Sequence, residues 1–437
     1  MDLRLIEARE MLRRRHQGHG RPVITLTAAG VRIVVCGKRV LSSPTWRFFP
    51  DFLIENLKDT LGRQWGASAS KVIPDHPIFR WLRLLQDARN RQPFPAPLPM
   101  TGGLSALNRL SYALYLIEHN DKPPRSLIKR LRRPSEFLPA CQEALVASAF
   151  ALAGAAIEGA EEVKSRGSKP EFFASFAAGP RYAVEAKRKS NWKARCDPEN
   201  AEFVLELRAW LRHRLYSASA KKLANPVFWL ELGIGQGITE ENGEKVRSLI
   251  TEAVRDSENL TVEGEPIRPA YVVVTNNADF ADDHSQAGLQ FGLLMGFAMP
   301  DFRGEKLDLE TAMQRHDKHR PIRRVVECLV EVQQVPNSFD SVPDELLDDS
   351  GQPIEPPKIG SRIEYPGQDG AARTGVIEEI TSAWNGTAVA AVCGDEDGER
   401  ALISIPLTPQ EDKAAKKLGD AVFGKPEGPR GESISDP

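Results

Sequence analysis

The chain has 437 residues, of which 41% are hydrophobic and 27% charged, a composition typical of soluble globular proteins. At about 150 residues per domain, this length excludes one ordinary core and predicts two or three domains. The 58 Lys and Arg residues nearly balance the 60 Asp and Glu residues, and the formal net charge of -2 means that any nucleic-acid surface must be local.

Cysteine usage and hydrophobic runs indicate the compartment. The five cysteines are scattered and none has CxxC spacing, so neither a disulfide framework nor a zinc site is indicated. The N-terminal stretch contains Asp2, Glu7 and Glu10 and has no apolar core of signal-peptide length. No run reaches the roughly 18 apolar residues of a membrane span. We therefore expect a soluble, cytoplasmic protein with no membrane partner.

Residues 1–98 are predicted to form a small α+β module. Helical patterns cover residues 1–16, 52–65 and 76–90, and two short strands are expected around Gly30. The stretch RQPFPAPLPMTGG that follows is rich in proline and glycine, which predicts a linker. This module shows no catalytic pattern.

The densest basic run of the chain, DKPPRSLIKRLRRP, follows an amphipathic helix that begins near Leu104. Its side chains suit contacts with nucleic-acid phosphates and equally suit the solvated face of a helix, and the sequence alone does not separate these interpretations. The residues predicted to bind nucleic acid in this run are Lys129, Arg130, Arg132 and Arg133.

A long alanine-rich helix is predicted over residues 135–160, with Ser135 as its N-cap. Glu143 lies in this helix among apolar residues. A carboxylate in such surroundings destabilises the fold unless it is paired or bound to a metal. Glu143 is therefore a candidate metal ligand, and a glutamate that faces solvent is the alternative.

The stretch KPEFFASFAAGPRYAVEAKRKSN combines two carboxylates, a turn and a strand. Successive side chains of a strand point to opposite faces, so Glu185 and Lys187 share one face. Gly179 and Pro180 suit a hairpin turn, which would bring Glu171 alongside Glu185. Two neighbouring carboxylates repel unless a positive group lies between them, and a divalent cation is the predicted group.

The following elements predict a mixed α/β sheet. A second long helix is predicted over residues 199–225, and Lys221 near its end is expected either to meet a phosphate or to lie on the surface. Apolar runs over residues 226–234 and 268–277 read as buried strands, and a helical pattern over 245–257 lies between them. This strand, helix and strand order predicts a crossover unit.

Three other patterns carry less weight. The glycine run from Gly233 to Gly237 lacks the spacing of a dinucleotide-binding loop. His316 and His319 lie three residues apart, but no Cys or acidic partner completes a metal site, so a solvated charged segment is predicted. The acidic loop that begins at Asp279 is predicted to be a turn.

The C-terminal part of the chain is predicted to hold a separate small domain. The run over residues 322–336 is ambiguous between strand and helix, and residues 336–356 read as an acidic linker. Residues 357–408 alternate short strand patterns with turn residues, which predicts a small SH3-like β-barrel. The tail over residues 409–437 is predicted to be disordered.

The central stretch resembles the PD-(D/E)XK, or restriction-endonuclease-like, nuclease superfamily. Lys169-Pro170-Glu171 stands where that family has its Pro-Asp, and Glu185-Ala186-Lys187 matches its (D/E)-x-K strand. Glu143 stands where many members carry a helix glutamate. The resemblance covers residues 135–280 and implies, for a domain over residues 99–335, an α/β fold with a central mixed sheet flanked by helices.

The resemblance implies a metal-dependent endonuclease-type hydrolase of bacterial type that cleaves phosphodiester bonds in DNA. Glu171 and Glu185 would bind Mg2+ or Mn2+ with the backbone carbonyl of Ala186 and with Glu143. Lys187 would orient the attacking water and stabilise the developing charge, so Glu171, Glu185 and Lys187 are the predicted catalytic residues. Glu171 replaces the usual Asp, and its extra methylene moves a ligand by about 1 Å, which Mg2+ tolerates poorly.

Two alternatives remain open at this point. One is a catalytically inactive protein of the same fold that binds nucleic acid or acts as a scaffold, which the Glu171 replacement favours. The other is a protein-interaction module that binds a partner chain through the basic helix and the C-terminal barrel. A homo-oligomer is compatible with each of these functions.

Overall fold

The structure is a computed structural model in which the chain divides into two compact units, Gln17–Val335 and a second unit that contains the C-terminal strands. The first unit includes residues 17–98 of the predicted N-terminal module together with the predicted central domain, and the boundaries of both stay predictions. The structure describes residues 18–28, 30–91, 101–121, 123–162, 169–177, 179–189, 191–235, 237–280, 290–302, 309–333, 335–336, 339, 359–366, 372–384, 387–394 and 400–406.

The first described elements form a small antiparallel sheet. Its strands pair in the order β1-β2-β3, and two of them were predicted around Gly30. The third follows a turn at Gly37, whose φ of 59° is one that glycine adopts readily. The predicted helix over residues 1–16 lies outside the described residues. The strands are β1 (Ile24–Ala28), β2 (Val31–Cys36) and β3 (Arg39–Ser43).

Four helices follow this sheet. The pattern over residues 52–65 predicts one helix, but the structure has two, because Gly62 between them adopts a φ of 84°. The rings of Phe49 and Phe52 meet the ring of Tyr115 edge-on at 5.6 and 5.4 Å, which packs the first of these helices against the fourth. The helices are α1 (Phe49–Leu61), α2 (Arg63–Val72), α3 (Pro77–Arg91) and α4 (Gly102–Asn120).

The basic run forms the short helix α5 (Arg125–Leu131), and the alanine-rich segment forms α6 (Pro134–Leu152). Ser135 is not the N-cap as predicted, because α6 begins one residue earlier at a proline, whose fixed φ suits the first helical position. The helix also ends before residue 160. Gly154 has a φ of 88°, a left-handed conformation in which the helix cannot continue. Strand β4 (Ala156–Gly159) follows.

The central sheet has six strands in the order β11-β10-β7-β6-β5-β4. Strands β6, β7 and β10 are parallel neighbours, whereas β4, β5 and β11 pair antiparallel, so the predicted mixed α/β sheet is confirmed. Strands β4 and β11 and the β8–β9 hairpin were not predicted. The elements are β5 (Phe172–Ser175), β6 (Arg181–Arg188), α7 (Ala201–Ser219), β7 (Pro226–Glu231), α8 (Glu240–Asp256), β8 (Thr261–Val262), β9 (Glu265–Pro266), β10 (Ala270–Asn276) and β11 (Phe291–Phe297).

Helices cover both faces of this sheet. On one face, the ring of Phe150 in α6 packs against Phe172 at 5.7 Å and Trp229 at 6.4 Å. On the other face, one apolar cluster joins α7 and α8 to β7 and β10. Its members include Phe203, Leu207, Leu211, Val246, Ile250, Phe228, Leu230, Val272 and Val274. The burial of strands on both faces explains their nearly continuous apolar sequences.

The ambiguous run at the end of the first unit is helical, in α9 (Leu309–Gln333). The prediction of a solvated segment is wrong for His319, which is only 1% exposed. A hydrogen bond of 2.8 Å joins its Nδ1 to the hydroxyl group of Tyr271 in β10. The side chain of His316 lies outside the described residues.

The second unit contains an antiparallel sheet whose strands pair in chain order. Ile377, Ala390 and Val392 are fully buried between its elements. The SH3-like barrel predicted for this region stays a prediction, and the predicted tail lies outside the described residues, as does most of the predicted linker. The strands are β12 (Arg362–Pro366), β13 (Ala372–Trp384), β14 (Thr387–Gly394) and β15 (Arg400–Pro406).

Candidate active site

The predicted hairpin between β5 and β6 is present. Phe172 pairs with Val184 in its register, and Gly179 in the connection has a φ of 122°. The backbone N–H of Glu171 donates a hydrogen bond of 2.9 Å to the carbonyl oxygen of Val184. Glu171 therefore lies beside the part of β6 that carries Glu185, as the turn predicts.

Lys187 lies between the two carboxylates of the hairpin. Its Nζ is 2.9 Å from Oε1 of Glu185 and also forms an ion pair with Oε1 of Glu171. Burial lowers the pKa of Lys187, but the negative charges of Glu171 and Glu185 outweigh burial and raise it. The positive group between the carboxylates is therefore a protonated lysine of the chain itself.

Helix α6 brings a third carboxylate to the hairpin. Glu143 is 4% exposed and forms an ion pair with Arg130, whose Nη1 is 3.9 Å from Oε2 of Glu171. Burial raises the pKa of Glu143 to about 7, the Arg130 charge opposes this rise, and the Glu171 charge adds to it. Glu143 is thus buried and paired, and it does not face solvent.

The raised pKa of Glu143 predicts a pH-dependent contribution to stability. Because its folded-state value of about 7 exceeds the ordinary value of 4.5, the contribution is complete below pH 4.5 and is lost as pH rises through 7. The shift corresponds to about 3 kcal/mol. Urea unfolding of Glu143→Gln and wild type from pH 4.5 to 8 is expected to show the variant gaining about this much relative to wild type.

The matched control is Glu136→Gln, which changes an exposed carboxylate at the start of the same helix. A constant difference between Glu143→Gln and wild type across this pH range would contradict the prediction.

Lys221, which follows α7, closes the other side of Glu185. Its Nζ is 2.6 and 2.7 Å from the two carboxylate oxygens of Glu185 and 3.0 Å from the backbone carbonyl of Lys169. Lys169 lies two residues before Glu171. Lys221 therefore holds both carboxylate-bearing segments together, a role that its place at the end of a helix does not predict.

The other predicted nucleic-acid-binding residues are distributed over different surroundings. Arg132 donates from Nε to the carbonyl oxygen of Leu61 at 2.8 Å, which ties α5 to the end of α1. Arg133 pairs with Glu136 at 3.0 Å, and Lys129 is exposed on α5. Of this basic run, Arg130 is the residue that reaches the carboxylates.

The donor atoms at this site suit a hard divalent cation. Mg2+ and Mn2+ prefer carboxylate and carbonyl oxygens, which Glu143, Glu171 and Glu185 supply. The carbonyl groups of residues two apart in a strand point to the same edge, so that of Ala186 points, like that of Val184, toward Glu171. Among the described residues, however, no three His, Cys, Asp or Glu side chains are arranged to hold an ion together. The carboxylates are instead paired with ammonium and guanidinium groups.

A second polar cluster lies at the carboxyl ends of β7 and β10, and its member Asp279 was predicted to be a turn residue. Glu231 is fully buried and accepts hydrogen bonds from the Thr275 hydroxyl at 2.7 Å and from the Asn277 side chain at 2.6 Å. Arg109 of α4 forms an ion pair of 3.0 Å with Asp279. The Arg109 side chain is 2% exposed and that of Asp279 is 3% exposed. This network joins α4 to the sheet.

Comparisons with known proteins do not assign the chain to a family. No family model matches the sequence, and no curated protein or solved structure is significantly similar to it. Within the described ranges, every helix is too short or too polar to cross a membrane. The site itself is therefore the basis for assigning a function.

Proposed function

We propose that the protein is a divalent-metal-dependent nuclease that hydrolyses phosphodiester bonds in DNA. The observation that supports this function most directly is the convergence of Glu143, Glu171, Glu185 and Lys187 from one helix and one hairpin. These are the residues that the motif resemblance implies, and they lie up to 44 positions apart in the chain.

The order of elements supports a restriction-endonuclease-like fold for this domain. Helix α6 precedes the antiparallel strands β4, β5 and β6, and α7 then leads to β7, which pairs parallel with β6. In this arrangement α6 supplies Glu143, and the hairpin supplies the other carboxylates. By the same reasoning, the four-stranded antiparallel sheet of the second unit is compatible with an SH3-like barrel that binds a partner chain.

The residues of the chain have distinct roles in this mechanism. Mg2+ or Mn2+, held by Glu171, Glu185, the Ala186 carbonyl and Glu143, would activate water and offset the phosphate charge. Lys187 is kept protonated by its carboxylate neighbours, so it donates hydrogen bonds to the attacking water and stabilises the negative charge that develops on the phosphate.

DNA is the proposed substrate because cationic side chains that can contact its phosphates lie next to the site. Helix α5 carries Arg130 at the carboxylates and the exposed Lys129 next to it. Contacts between such side chains and backbone phosphates make binding weaker as salt concentration rises. Because the positive and negative charges of the whole chain nearly balance, the attraction for DNA would come from this surface of α5.

The proposal is tested by incubating the purified protein with plasmid, linear duplex and single-stranded DNA. Cleavage products are expected with Mg2+ or Mn2+ and are expected to disappear when EDTA is added in excess, because the carboxylates need a metal to act on water. Products that form equally well in EDTA would rule out a metal-dependent mechanism. The absence of products with every substrate and both metals would rule out the nuclease function.

A catalytically inactive nucleic-acid-binding protein of the same fold is the second candidate. It is favoured by the cationic partner that each of the three carboxylates already has, and by Glu171 in place of the usual Asp. Calorimetry that detects no Mg2+ or Mn2+ binding, together with DNA binding that weakens with salt, would select this candidate over the nuclease.

A further inference from the structure

Lys221 is hydrogen-bonded to Glu185, one of the carboxylates that the proposed mechanism assigns to the metal. Its ammonium group is within hydrogen-bond distance of both oxygens of Glu185, at 2.6 and 2.7 Å. Glu185 is 1% exposed, so its carboxylate contacts the Lys221 ammonium group directly and has almost no contact with water. An ion that binds Glu185 therefore competes with these hydrogen bonds for the carboxylate oxygens.

The charges at the site are balanced without a metal. Glu143, Glu171 and Glu185 are joined to Arg130, Lys187 and Lys221 in one continuous series of ion pairs. When Glu143 is ionised, three negative and three positive groups leave no net charge to attract a divalent cation. Binding such an ion while all three cationic side chains stay in place would bury two uncompensated positive charges, which is strongly unfavourable.

The three cationic side chains differ in how easily they leave. Lys187 bridges two carboxylates from within β6, and Arg130 contacts two carboxylates from α5. Lys221 pairs with one carboxylate and follows the end of a helix. Its four-carbon side chain is able to rotate into solvent without moving the backbone.

We propose that Lys221 is an exchangeable counter-ion of Glu185, which the divalent metal replaces. This inference rests on the proposed nuclease function and names the residue that controls metal binding at the same site. In the metal-free protein, Lys221 keeps Glu185 and the backbone of Lys169 together. When the metal binds, the released ammonium group is free to meet a phosphate of the substrate.

Calorimetric titration with Mn2+, in the absence of DNA, tests this exchange. Lys221→Met removes the competing charge and is expected to raise the Mn2+ affinity about tenfold. Lys222→Met is the matched control, because Lys222 is the adjacent lysine and pairs with Glu263. It is expected to bind Mn2+ as wild type does.

A second measurement uses the wild-type protein, so it does not depend on how well a variant folds. Acylation of lysine side chains, read out by mass spectrometry, is expected to increase several-fold at Lys221 when Mn2+ is saturating, because the freed amine becomes accessible. The reactivity of Lys222 is expected to stay constant.

The outcomes separate the exchange from the function beneath it. Equal or weaker Mn2+ binding by Lys221→Met, or Mn2+ binding without a change in the reactivity of Lys221, overturns the exchange and leaves the nuclease proposal standing. Failure of wild type and both variants to bind Mn2+ overturns the nuclease proposal and the exchange together.

Discussion

Lys187→Met is expected to lower the rate of DNA cleavage by about 10²- to 10³-fold, because it removes the group that stabilises charge on the phosphate. The side chain keeps its approximate length but loses the ammonium that bridges Glu171 and Glu185. Single-turnover cleavage in saturating Mn2+ measures this effect. Lys222→Met is again the control, since it changes the same charge outside the series of ion pairs.

Glu185→Gln complements this experiment by removing a proposed metal ligand. Its amide preserves the side-chain shape but is a much poorer ligand for a hard cation, so both Mn2+ binding and cleavage are expected to disappear. Lys187→Met, in contrast, is expected to retain metal binding. A cleavage rate within a few-fold of wild type for either variant would be incompatible with the proposed mechanism.

Arg109→Met is expected to destabilise the protein by about 3–5 kcal/mol, the largest effect on stability that we predict. Arg109 and Asp279 form a buried ion pair, and methionine leaves the Asp279 carboxylate without its guanidinium partner. A single buried charge is far less favourable than the pair. Urea unfolding monitored by fluorescence measures the change in unfolding free energy.

Two further variants give this prediction its control. The double variant Arg109→Met, Asp279→Asn removes both charges and is expected to recover a large part of the loss. Arg208→Met breaks an exposed pair with Glu252 and is expected to cost less than about 1 kcal/mol. Equal destabilisation by Arg109→Met and Arg208→Met would show that the buried pair has no special importance.

The hairpin that carries the candidate site was predictable because its determinants are local. The alternation of side chains in β6 and the Gly179-Pro180 turn lie within one short stretch, and they correctly predict which face carries Glu185 and Lys187. The strong apolar runs of β7 and β10 identify the centre of the sheet for a similar reason, since burial on both faces requires such runs.

Partners that are distant in sequence were not predictable from local patterns. The pairing of Arg130 with Glu143 was not predicted, nor was that of Lys221 with Glu185, 36 residues away. Asp279 reads as a turn residue, yet its partner Arg109 is 170 residues away. The position of Arg109 between Leu107 and Leu110, in a mainly buried helix, was the available signal, because a buried arginine requires an acidic partner.

Element boundaries failed where glycine or proline overrode the periodic pattern. Gly62 and Gly154 each adopt positive φ values, and each interrupts a run whose apolar spacing continues beyond it. Pro134 shifts the start of α6 by one residue. Strand β11 contains Gly292 and Gly296, which weaken a strand pattern that is otherwise clear.

Strand β6 pairs antiparallel with β5 on one side and parallel with β7 on the other. The two kinds of pairing form on different timescales, because a hairpin closes a short loop, whereas a parallel partner arrives only after a helical crossover. During folding, Glu171 and Glu185 therefore meet early, and Lys221 joins them only when α7 and β7 dock. The nascent hairpin already holds Lys187 between its two carboxylates, whereas Lys221, the second counter-ion of Glu185, arrives only with the crossover, so the hairpin should become fully rigid only after that docking step.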